Sequence, residues 1–149
     1  QKIKNSYLNK LFLKYRSFKN VEIIFKKECK EKMMKALDDK FHLGLASDQN
    51  AGKRGTIVKL LNIDISIPKG AAIFHLKIKK PIFIGYCVMN KNYNYDFFIE
   101  SLDTSKIKSS KSEFIKSINS NFTSGLGEMI VKYPNQYFWF HKMKNKSDY

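Results

Sequence analysis

The sequence is short of the residues that staple small secreted or metal-bound folds. Its two cysteines, Cys29 and Cys87, lie far apart in 149 residues. Two thiols build neither a dense disulfide frame nor a four-thiolate zinc site, so they read as reduced structural thiols in a cytosol-facing protein and no metal is expected. Three prolines and seven glycines are too few for a collagen-like or low-complexity chain. No apolar run approaches the roughly 18 residues that cross a bilayer, and no secretory leader is visible. The chain opens on Gln1 instead of Met, so it is read as a piece of a longer protein whose membrane anchor, if it has one, lies upstream.

Acids are also scarce. Thirteen carboxylates face 28 basic residues, for a net charge of +15. An excess of this size points to a polyanionic partner: nucleic acid, acidic phospholipid or an acidic carrier protein. Arginine is scarcer still, at positions 16 and 54 only. What the chain does have is a globular share of apolar residues, 43%, with twelve Phe and eight Tyr. A single domain of this length buries enough surface for a proper core.

Hydrophobic periodicity predicts a helix over 3–18, through Ile3, Tyr7, Leu8, Leu11, Phe12 and Tyr15. Residues 20–25 (NVEIIF) and 41–46 (FHLGLA) read as short strands, with a helix over 29–37 between them. Residues 56–67 read as extended, 70–78 as helix, and 81–89 with 95–101 as a hairpin. A long helix covers 109–133, with Ser110 and Glu113 spaced as a capping box and Pro134 ending it. Strands alternate with helices, so the expected class is α/β, a mixed sheet flanked by helices.

The loop over 47–55, SDQNAGKRG, is the best candidate site. It is expected to follow the strand over 41–46, and sites in open α/β sheets gather beyond such strand ends. Gly52 and Gly55 permit close backbone approach, Lys53 and Arg54 suit phosphate or carboxylate, and Asp48 suits orienting Arg54 or a catalytic partner. The alternative is a polar turn satisfying its own backbone. Likewise Arg16 is either an anion receiver or a cation facing its helix dipole. The segment Tyr137, Phe138, Trp139, Phe140 is either core or a membrane-interface cluster.

Two motifs stand in order along the chain. The first is Asp48-Gln49-x-x-Gly52-x-x-Gly55, and the second is Glu128 leading into Pro134-x-Gln136-x-x-Trp139-x-His141. Together they resemble the bacterial lipid A biosynthesis acyltransferases, relatives of the glycerophosphate acyltransferases, over the C-terminal half of that family's pattern. The resemblance implies a glycerolphosphate-acyltransferase-like fold and transfer of a fatty acyl group from acyl carrier protein to a hydroxyl of a glycolipid. The setting it implies is the cytoplasmic face of the bacterial inner membrane, against an anionic membrane surface. It implies no cofactor beyond the acyl donor. Asp48 would support the chemistry, and Gln49, Lys53, Arg54, Arg16 and Lys26 would hold the substrate.

The family's base is a His with an acid five residues on. Here Ser47, Lys80 and Lys146 follow His42, His75 and His141 at that distance, so the chain alone is expected to be inactive. Where the family often has Phe-Phe-Gly, this chain has Leu60-Leu61-Asn62. The competing reading is a non-enzymatic basic module for nucleic acid or membrane. No recognised nucleic-acid motif supports the former, and nucleic acid is not expected as a partner.

Overall fold

The computed structural model describes residues 3–25, 29–105, 107 and 110–140. It resolves into two compact units, residues 1–44 and 45–149.

The first unit holds α1 (Ser6–Arg16) and α2 (Cys29–Asp38). The Asn5 side chain caps α1, accepting from the backbone N–H groups of Tyr7 at 3.0 Å and Leu8 at 3.2 Å. On α2, Lys35 pairs with Asp39 at 2.9 Å on the solvent face. None of the described residues in this unit is buried.

The second unit is organised by one long helix. Its elements are β1 (Thr56–Leu60), β2 (Ile63–Ile67), α3 (Gly70–Ile78), β3 (Ile82–Met89), β4 (Tyr95–Leu102) and α4 (Lys111–Lys132). The capping box forms as spaced: Glu113 N–H donates to Ser110 Oγ at 3.3 Å, and the Glu113 carboxylate accepts from Ser110 N–H at 3.0 Å. Those bonds hold the Glu113 carboxyl below its ordinary pKa, because the Ser110 donors favour the charged form. Phe114, Ile115 and Ile118, then Leu126 and Ile130, fall on the buried side of α4.

Two clusters follow. Ala72 of α3 packs with Phe114, Ile115 and Ile118. Val58, Leu60, Ile65 and Ile67 of the β1–β2 hairpin pack with Leu126 and Ile130. Buried Asn119 joins them, its amide donating to the carbonyls of Ile67 at 3.4 Å and Pro68 at 3.3 Å.

The class is α/β, as the sequence implies, but the strands form two separate antiparallel pairs in place of one mixed sheet. The expected extended run 56–67 is a hairpin pairing Thr56 with Ile67 and Leu60 with Ile63. Its turn is Leu61–Asn62, both at positive φ (49° and 67°), the backbone of a type I′ turn. Asn62 therefore stands where left-handed backbone is needed, and Asn tolerates it next best after glycine. The expected hairpin over 81–101 is present, registered Ile82 to Leu102 and Met89 to Tyr95.

Two expected strands are absent. Residues 20–25 and 41–46 form no ladder with any described residue. Branched side chains favour a strand only against a partner strand, and neither segment has one here.

Candidate functional site

The loop 47–55 is a built turn. Gly52 takes φ +57°, a left-handed conformation that suits glycine, and its N–H donates to Asn50 Oδ1 at 2.7 Å. A 3-10 turn, Gly52–Arg54, then closes with Gly55 N–H on the Gly52 carbonyl at 3.2 Å. The turn is pinned to β2. Ser66 Oγ donates to the Gly52 carbonyl at 2.6 Å, and Ala51 N–H donates to the Ser66 carbonyl at 3.0 Å. A Cβ on Gly55 would collide with Ser66 Oγ and stand 2.9 Å from the Ile67 carbonyl. Gly55 thus permits loop and strand to touch. The loop precedes β1 and follows no strand among the described residues, a correction to the strand-end placement.

This pinning leaves the charged side chains outside. Lys53, Arg54, Asp48 and Gln49 are exposed. Lys53, Arg54 and Gln49 make no side-chain hydrogen bond or ion pair among the described residues. Arg54 is therefore not oriented by Asp48. Asp48 instead acts on Tyr137: burial first, and the Asp48 charge second, push the Tyr137 phenol above its ordinary pKa.

Asp48 and Tyr137 share a cavity of about 260 Å³ with Ser47, Tyr86, Cys87 and Gln136. The loop motif and the Pro134–Trp139 motif thus meet along β3. Gln136 clamps the end of that strand. Its Oε1 accepts from Met89 N–H at 2.7 Å, and its Nε2 donates to the Met89 carbonyl at 2.8 Å. A side-chain amide here does what a neighbouring strand's backbone would do. Trp139 Nε1–H donates to the Pro134 carbonyl at 2.6 Å, and the Trp139 ring meets Tyr137 edge-on, centroids 5.0 Å apart. Tyr86 donates to the Phe122 carbonyl at 3.1 Å, and burial, reinforced by Glu100 and Glu128, pushes its phenol up to about 12.

These contacts decide several sequence readings. Tyr137 packs against the core, but Phe138, Trp139 and Phe140 are exposed, so the core alternative fails for those three. Cys87 is free and exposed. Arg16 lies in the first unit at the end of α1, its guanidinium 4.1 Å over the Phe12 ring. Lys26 and His141 lie outside the described residues. His75 is structural: Nδ1 bonds the Lys80 carbonyl at 2.6 Å, Nε2 bonds Thr104 Oγ1 at 3.2 Å, and the ring stacks on Phe114. Among the described residues no group of three His, Cys, Asp or Glu stands close enough to hold a metal, and no helix is long and apolar enough to cross a membrane.

Sequence reasoning missed Ser66 and the partner of Gln136. The first has a signal, a lone hydroxyl inside the branched strand IDISI. The second has none, because nothing local in the sequence links Gln136 to Met89.

The family model for bacterial lipid A biosynthesis acyltransferases matches residues 1–144. The chain belongs to that family. No curated protein matches it. For this lipid A acyltransferase family member the match assigns acyl transfer in lipid A biosynthesis in general terms.

Proposed function

We propose that this chain contributes the anion-binding part of an acyl-transfer site that moves a fatty acyl group from acyl carrier protein to a glycolipid hydroxyl. The hydroxyl oxygen attacks the thioester carbonyl, the C–O bond forms, the C–S bond breaks, and the hydroxyl proton leaves with the thiol. Lys53 and Arg54, exposed and unpaired among the described residues on a turn pinned at Ser66, are the observation that carries this reading. They receive the acceptor's phosphate or the donor's phosphopantetheine phosphate, the planar guanidinium fixing its orientation. Gln49 lies beside them on the same loop, and Asp48 supports the reacting groups from the cavity mouth. No histidine here has an acid five residues on, and His75 is held by two structural partners, so the general base is assigned to none of these residues. The work takes place on the anionic cytoplasmic face of the inner membrane, without a metal or bound cofactor.

A calorimetric titration of a phosphorylated glycolipid into the chain tests this. Lys53→Gln with Arg54→Gln should weaken binding at least tenfold, since charge-assisted bonds contribute about 1.5–3 kcal/mol each, with the melting temperature unchanged. Equal affinity in both proteins would remove the loop from the site. The purified chain should show no transfer from acyl carrier protein, and steady turnover would overturn the missing base.

A further inference from the structure

We propose that α1 is a surface-docking helix that lies in the plane of an anionic lipid layer. Tyr7, Leu8, Leu11, Phe12 and Tyr15 recur at helical spacing and form one apolar stripe. All five are between 48% and 83% exposed, and no residue of α1 is buried. Ser6, Asn9, Lys10 and the half-buried Leu13 fall on the opposite side, and Lys14 and Arg16 stand at the two edges of the stripe, the Arg16 guanidinium over Phe12.

The charge on this helix has one sign. Lys4, Lys10, Lys14, Arg16 and Lys19 are interrupted by no acid before Glu22. An acid in the first turn would stabilise a helix; α2 and α4 carry Glu31 and Glu113 there, whereas α1, like α3, has none, and α1 is capped by neutral Asn5. At 11 residues the helix is about 16 Å long, too short to cross a hydrocarbon core of about 30 Å.

A short basic helix with an aromatic and leucine face suits the boundary between headgroups and acyl chains. Its apolar stripe enters the boundary layer while its lysines meet anionic headgroups. Tyrosines near the stripe's ends suit the same depth. This assigns a surface to the membrane partner of the proposed reading, and vesicle binding is read out separately from acceptor binding at Lys53 and Arg54.

The test is co-sedimentation of the full chain with vesicles of phosphatidylglycerol and phosphatidylcholine, against phosphatidylcholine alone. Binding should require the anionic lipid and fall with added salt. Lys10→Gln and Lys14→Gln should each weaken it about fivefold. Leu8→Ala with Leu11→Ala keeps helix propensity and should weaken binding roughly tenfold or more. Phe97→Ala, an exposed apolar change on β4, should leave it unchanged. A chain that stays in the supernatant, or Leu→Ala variants that sediment like the parent, would overturn the proposal. Self-association of the parent that Leu8→Ala with Leu11→Ala abolishes, without vesicle binding, would assign the stripe to a protein partner instead.

Discussion

The two units solve the same problem differently. In the second, α4 is flanked along its length, Phe114, Ile115 and Ile118 by α3, Leu126 and Ile130 by the β1–β2 hairpin. In the first, α1 is as clearly amphipathic, yet its apolar stripe is left exposed by the described residues of its own unit. Amphipathic spacing tells a chain which face to hide, and only a partner surface decides whether it is hidden. The second unit supplies that surface from its own sequence. The first is expected to find it outside itself.

The comparison can be broken most forcefully at Ile67, which is fully buried. Ile67→Ala should destabilise the second unit by about 2–5 kcal/mol in a denaturant melt. A cost under 1 kcal/mol would mean that the hairpin and α4 do not share a core. Next comes Gly55→Ala, where the added methyl meets Ser66 Oγ and the Ile67 carbonyl. It should cost about 1–3 kcal/mol and weaken acceptor binding together with stability, whereas Arg54→Gln weakens binding alone.

Gln136→Ala is a smaller change. It frees the Met89 N–H and carbonyl from their side-chain clamp, so the cost should be about 1 kcal/mol, with faster hydrogen exchange at the Met89 amide. Alkali should act on the second unit through Tyr86. Its folded pKa, about 12, lies above the ordinary value near 10, so its neutral form is favoured by folding. That contribution is complete below pH 10 and lost as pH rises through about 12. Tyr86→Phe should flatten stability across that window, and a parent whose stability does not fall there would contradict the half-buried, hydrogen-bonded phenol. The smallest effect belongs to the first unit: Leu11→Ala should change stability by no more than about 0.5 kcal/mol. A loss like that of Ile67→Ala would place α1 in a core.

The sequence made this contrast partly legible. Ser110 and Glu113 marked the start of α4, and Pro134 its end, because caps and breakers act within a few residues. Gly70–Ile78 and the β3–β4 hairpin were readable for the same reason. The strands expected at 20–25 and 41–46 failed because pairing depends on a distant partner that no local pattern names. In the candidate site, the loop motif named Asp48, Gln49, Lys53 and Arg54, and the closing motif held Gln136 without giving it a role. They did not show that Gln136 is a brace on β3, or that Asp48 faces Tyr137 in place of Arg54. Both facts come from contacts between segments remote in sequence.

Amide hydrogen exchange on the full chain, with and without vesicles containing phosphatidylglycerol, tests the contrast most directly. Exchange should be slow along α4 and the β1–β2 hairpin in both conditions, and slow along α1 only when the vesicles are present. Protection of α1 equal to that of α4 without lipid would contradict it.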